Sequence, residues 1–240
     1  MKLLLKNATL LDEKSPFHNQ TKDVLIEKGI VTQLEDHIEN KGAKVINLKN
    51  LHISSGWFDP NVSFGEPGYE ERETLKNGLQ TAAKSGFTNI VLNPNTKPLT
   101  ETHSDVSHLL QSNKNQLTAL HISSVLTEEG KGNQMAPLLD LHKAGAVVFG
   151  DYKTSYNNPN LLRIALDYSQ SFGGLIQAYP MDKALSNNGQ MHEGIISTNL
   201  GLKGIPQVAE TTTLTRDLHL LDYTQGKLHI PFITSSASLE

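Results

Sequence analysis

The chain of 240 residues can bury one large core with an appendage, and its 25 acidic and 21 basic side chains (net charge -4) include no Lys/Arg-rich block of the kind nucleic-acid binding needs. It contains no cysteine, which excludes disulfides, thiol chemistry and cysteine metal sites. The opening stretch MKLLLKNATLLDEK has only a short apolar run before Lys6, too brief for a secretory signal, and no later stretch approaches a membrane span, so a cytoplasmic protein is expected.

The first fifty-five residues read as short strands. KLLLKNATLL, KDVLIEKGIVTQL and KVINLKNLHISS are β-rich runs separated by Asn, Gly and Pro, and Glu27-Lys28-Gly29 suits a tight hairpin. A small antiparallel layer without chemistry of its own is expected here. From Trp57 the rhythm changes to alternating strands and helices. WFDPNVSF is a strand entering a loop, and ETLKNGLQTAAKSG is a helix closed by Gly86. Then follow the strand FTNIVLNP, a helix over 102–115, the strand LTALHISSVL, a helix over 136–144, the strand AVVFGD and a helix over 160–172. The strand GGLIQAYP, a helix over 209–223 and the strand KLHIPFIT complete the series. The acidic YEERE stretch reads as a helix start, favourable beside the positive end of the helix dipole, and Met191-His192-Glu193 reads as a loop. Six β-α units with apolar strands argue for a parallel sheet covered by helices, either open or part of a longer (β/α)8 barrel.

In such folds the side chains at the C-terminal strand ends line the site. In order, these are Asn61 and Ser63, with Gly65 beyond; Asn93 and Asn95; Asp151 and Tyr152; Tyr179 and Asp182; Phe232 and Thr234. A catalytic zinc needs about three His or carboxylate ligands and one open position. The strand ends offer Asp151 and Asp182 and no histidine, although the chain has 10. His121 and His229 lie within strands, where packing or surface roles suit them. By strand alternation, His229 faces away from Phe232. Asn93 and Asn95 bracket Pro94, where backbone bonding would account for either.

Several motifs together resemble the dihydroorotases of the amidohydrolase superfamily, in their longer bacterial form. GWFDPNVSFGEPGYEERETLKNGLQTAAKSGFTNIVLNPNTKP is similar to the family's G-x-x-D-x-H-V-H-F-R-E-P-G stretch and its M-P-N-T-x-P loop. AGAVVFGDYK resembles A-G-A-x-x-F-S-D-D-G. MDKAL and GQMHEGIISTNLGLKGIPQVAE resemble E-D-x-x-L and G-x-M-H-E-G-x-x-S-x-x-L-G-L-x-G-I-P-x-x-A-E, and LHIPFITSSASLE resembles L-H-x-x-H-x-S-T-x-x-S-V-E.

The resemblance implies an α/β fold of the (β/α)8 TIM type, with about six β-α units in this chain, and a small β-sandwich layer. Residues 1–55 would form the N-terminal part of that sandwich. Residues 56–240 would form the metallo-dependent-hydrolase-like barrel, stopping before its last strands. Active members hold zinc through histidines at positions that here are Asn61, Ser63, Tyr179 and Phe232, and the arginine that would grip a substrate carboxylate is Gly65. Asp151 matches one acidic position of the D-D-G motif and is a weak catalytic candidate, while Asn95 retains a substrate-binding position. No metal or other cofactor is therefore expected. The resemblance implies a non-catalytic homologue of pyrimidine biosynthesis, partnering aspartate carbamoyltransferase or itself. The alternative is an amidohydrolase acting on a cyclic amide through Asp151, Asp182, Tyr152 and Tyr179, or through a recruited metal.

Overall fold

The computed structural model describes residues 2–240. They divide into two compact units, the first ending at Trp57 and the second beginning at Phe58.

In the first unit, β1 (Lys2–Leu11) pairs antiparallel with β2 (Thr21–Glu27), which turns into the antiparallel β3 (Ile30–Glu35). The hairpin is a two-residue turn with Lys28 at φ 53° and Gly29 at φ 82°, the left-handed pair that matches strand twist. The expected third run splits into β4 (Lys44–Ile46) and β5 (His52–Ser54), and both lie parallel to β1. The layer is therefore mixed rather than antiparallel. Its apolar centre is Leu4, Leu25, Ile38 and Ala43. The buried Asp23 carboxylate lies beside them, accepting from Lys6 Nζ at 2.6 Å, Ile38 N at 2.9 Å and Asn7 N at 3.0 Å. Burial works against this charge, but Lys6 and the two amides outweigh it and hold the carboxyl below its usual range.

The second sheet begins with β6 (Trp57–Val62). It is followed by α1 (Leu75–Lys84), β7 (Phe87–Leu92), α2 (His103–Ser112), β8 (Ala119–Ser124), α3 (Leu138–Ala144), β9 (Ala146–Phe149) and α4 (Pro159–Ser169). Then come β10 (Leu175–Gln177), α5 (Lys183–Ser186), β11 (Met191–His192), α6 (Ile195–Leu200), β12 (Gly204–Ile205), α7 (Val208–Thr224) and β13 (Leu228–His229). Six strands line up in the order β13-β10-β9-β8-β7-β6, and the sheet curls as half a barrel. The pairs β7–β8, β8–β9, β9–β10 and β10–β13 are parallel. The helices cover the sheet around a core that includes Leu92, Ile122, Phe149, Leu162, Leu166 and Ile176.

Local chemistry explains the boundaries. Thr102 and Asp105 form a reciprocal capping box that starts α2, and Gly145, at φ 112°, ends α3. Three sequence expectations are corrected. The YEERE stretch lies outside the first turn of α1; the carboxylate at that helix start is Glu66, which accepts from Leu75 N at 2.8 Å. Met191 and His192 form β11, paired parallel with β12, rather than a loop. The last strand ends at His229 because Pro231 has no N–H to continue a ladder, so Phe232 and Thr234 lie in irregular chain.

Candidate functional site

The end of β6 places Asn61 and Ser63 two residues apart, and the end of β7 does the same for Asn93 and Asn95. These four side chains bond to one another. Asn93 Nδ2 donates to Asn61 Oδ1 at 2.7 Å, and Asn95 Nδ2 donates to Ser63 Oγ at 2.6 Å. Neighbouring strands are thus cross-linked at their C-terminal ends by neutral groups.

Just beyond, the chain folds tightly onto Gly65. Gly65 N donates to Glu73 O at 3.0 Å, and Gly65 O accepts from Tyr69 N at 2.8 Å. A Cβ at this position would lie 1.8 Å from Tyr69 O, a separation no side chain tolerates. The loop has closed over the place where the resemblance puts an arginine. Arg72 instead donates to Phe64 O at 2.9 Å and lies over the Tyr69 ring.

Asp151, after β9, is buried and fully engaged. It accepts from Leu126 N at 2.9 Å, Thr127 N at 3.1 Å and Thr127 Oγ1 at 2.5 Å. Burial pushes its carboxyl above the ordinary range, and the bonds from Thr127 and Leu126 only partly offset this. Its geometry is that of a clasp between the ends of β8 and β9. Asp182 caps α5, accepting from Ala184 N at 2.8 Å and Leu185 N at 2.9 Å.

Tyr179 and Phe232 meet edge to face with ring centroids 5.9 Å apart. Lys153 places its ammonium 5.2 Å from the Tyr152 ring and 5.8 Å from the Phe232 ring. Aromatic faces carry negative potential, so rings seat a cation here. Thr234 donates through both N–H and Oγ1 to Glu210 of α7, which also accepts from Ser235 and Ser238. Burial raises the Glu210 carboxyl, but these hydroxyls and amides outweigh it and hold it below its usual range.

The two strand histidines stay outside this constellation. His121 Nε2 is 3.0 Å from Asn89 Oδ1, with its ring edge-on to Phe58. His229 Nδ1 is 3.1 Å from Gln177 Oε1, and burial lowers its pKa. Because β13 stops at His229, strand alternation does not relate it to Phe232.

A zinc ion does not fit the residues at the four ligand positions. A hydrocarbon ring and a ring packed edge-on against it occupy two of them. The amide oxygen and hydroxyl at the other two are weak neutral donors already accepting hydrogen bonds. Among the described residues, no three His, Asp or Glu side chains converge as a metal-binding group.

The strand-end reading brought together Asn61, Ser63, Asn93, Asn95, Tyr179 and Phe232, and did not single out Lys153 or Glu210. Lys153 stands two residues after Asp151, a spacing that could have marked it. Glu210 gives no local signal, because its partners are more than twenty residues away.

Comparison with known proteins follows the same outline. Residues 52–238 match the family model described as Dihydro-orotase-like. The chain is 34% identical over 239 residues to the dihydroorotase of Pelotomaculum thermopropionicum, with 100% of this chain and 56% of that protein aligned. It is 32% identical over 241 residues to the dihydroorotase of Geobacter sulfurreducens, again across 100% of this chain and 56% of that protein. The chain thus spans about half the length of the curated relatives it matches. Among solved structures, L-hydantoinase (dihydropyrimidinase) from Arthrobacter aurescens superposes with a TM-score of 0.76 at 16% identity, covering 99% of this chain and 54% of that one. D-hydantoinase from Bacillus sp. AR9 gives a TM-score of 0.70 at 16% identity, over 99% of this chain and 53% of that one. The half-barrel therefore shares the fold of the corresponding part of these two hydantoinases. With a matched family model over most of its length and relatives aligned along all of it, the chain belongs to the dihydro-orotase-like family.

Proposed function

We propose that this chain belongs to a dihydroorotase homologue of pyrimidine biosynthesis that no longer catalyses ring opening and acts as a structural or assembly partner. Aspartate carbamoyltransferase is the candidate partner, the protein is cytoplasmic, and a homo-oligomer is the second assembly it could form. Residues 1–55 are part of a small β-sandwich, and residues 56–240 are the larger part of the barrel.

The observation that carries this reading is the mutual bonding of Asn61 with Asn93 and of Ser63 with Asn95. Amide cyclisation and hydrolysis of the dihydroorotase type rely on a metal to bring the pKa of bound water from about 15.7 towards 7. Neutral oxygens already accepting hydrogen bonds are a poor substitute for imidazoles in that task. The alternative, an active cyclic-amide hydrolase with an altered or recruited metal site, depends on Asp151 and Asp182. Both have backbone partners that would have to be given up first.

The test is metal content measured with dihydroorotase activity on the full-length protein, alongside capture of interacting proteins. The expected outcome is substoichiometric metal, no turnover of dihydroorotate, and aspartate carbamoyltransferase in the captured material. Stoichiometric zinc with turnover would sink the non-catalytic reading, and clean capture without the carbamoyltransferase would sink that partner.

A further inference from the structure

Between β11 and β12 the chain makes one short crossover helix, α6, and its polarity is inverted. The buried residue of this helix is Ser197, whose Oγ accepts from Gly194 N at 3.0 Å and donates to Gly194 O at 2.8 Å. The large aliphatic side chains are outside instead. Ile195 is 77% exposed, Ile196 62%, Leu200 61% and Leu202, just past the helix, 40%. Ile196 and Leu200 stand four apart and so share a helix face, with Ile195 beside them. A helix at a protein surface ordinarily turns such a face inward, and contiguous exposed apolar surface marks an interaction site.

The charges at the two ends of α6 say what covers it. Glu193 precedes the helix and Lys203 follows it, both exposed, and neither makes an ion pair among the described residues. The β11–β12 ladder keeps them apart. Gln190 N donates to Lys203 O at one end of the ladder, and Glu193 N donates to Ile205 O at the other, each at 2.9 Å. The helix between them, IISTNL, carries no charge. A matching surface must therefore be apolar in the middle, with a base facing Glu193 and an acid facing Lys203.

We propose that α6 is a two-fold interface between copies of this chain. This builds on the homo-oligomer named above, and it holds whether or not catalysis is lost. A second α6 laid antiparallel on the first sets aliphatic face on aliphatic face. It also brings each Glu193 opposite Lys203 of the other copy, so the one surface is complementary to itself. The four aliphatic side chains offer on the order of 500 Å² per copy. The pair thus covers about 1,000 Å² before the flanking polar residues are added, the size at which specific interfaces begin.

The test is analytical sedimentation of the purified full-length protein alone, a readout separate from metal content, turnover and capture of the carbamoyltransferase. A dimer is expected. Ile196→Glu and Leu200→Glu fall at exposed positions, so they keep the fold, as circular dichroism checks, and each is expected to weaken the dimer about tenfold or more. Glu193→Lys or Lys203→Glu alone sets like charges together and weakens it too. Both in one chain exchange the charges and are expected to restore it, a recovery that an unspecific apolar contact would not show. A monomeric parent protein would overturn the proposal, α6 then being covered by another part of the full-length chain. A dimer unchanged by Ile196→Glu, or no recovery in the exchanged pair, would overturn it equally.

Discussion

At Gly65 the chain requires a residue without a side chain, because the backbone of Tyr69 and Glu73 closes on it from both sides. The reason is contact rather than torsion, since even a methyl group would overlap a carbonyl oxygen. Gly65→Ala is therefore expected to lower stability by about 1–3 kcal/mol, the usual range for overpacking. Denaturant unfolding with an unchanged midpoint would show that the 65–73 loop is looser than the structure has it. The resemblance made Gly65 legible as a lost arginine. It could not show the closed loop, because nothing in the string Gly-Glu-Pro-Gly states that residues 69 and 73 come back to meet residue 65.

At the scale of elements, Glu210 joins helix α7 to the chain after β13. One carboxylate takes two amides and three hydroxyls, from Thr234, Ser235 and Ser238. Its pKa is lowered on folding, so its contribution is present above the ordinary glutamate value (~4.3) and is lost as pH falls through the folded value. Hydrogen-exchange protection in 234–238, measured relative to the intrinsic rate at each pH, should fall as pH drops below the ordinary glutamate value in the parent protein. In Glu210→Gln, protection there should already be lost at neutral pH, with a stability loss of about 1–3 kcal/mol. Exchange in this segment that is indifferent to both changes would remove Glu210 from the role.

The alternation of strands and helices was legible because apolar runs, glycine stops and side-chain caps are local signals. The boundaries moved where a distant partner or a single proline decided them. Pro231 cut the last strand to Leu228–His229, and pairing with Gly204–Ile205 turned Met191–His192 into a strand. Asp151 was legible as a retained acid, but its clasp on Leu126 and Thr127 spans more than twenty residues and has no local signature.

At the scale of the whole molecule, the four replaced ligand positions come from two strand ends, those of β6 and β10, and one irregular segment of a half-barrel. Returning imidazoles at all of them (Asn61→His, Ser63→His, Tyr179→His and Phe232→His in one chain) would break both amide cross-links and the ring pair. The expected result is a lower melting temperature and no dihydroorotate turnover, because Gly65 still supplies no carboxylate grip. Turnover by that variant, measured with zinc present, would mean that the rest of the barrel remains competent. The paired amides and the serine have a further consequence. Neither an amide nor an alcohol titrates near neutrality, so β6 and β7, joined in this way, keep their ends together across the physiological pH range.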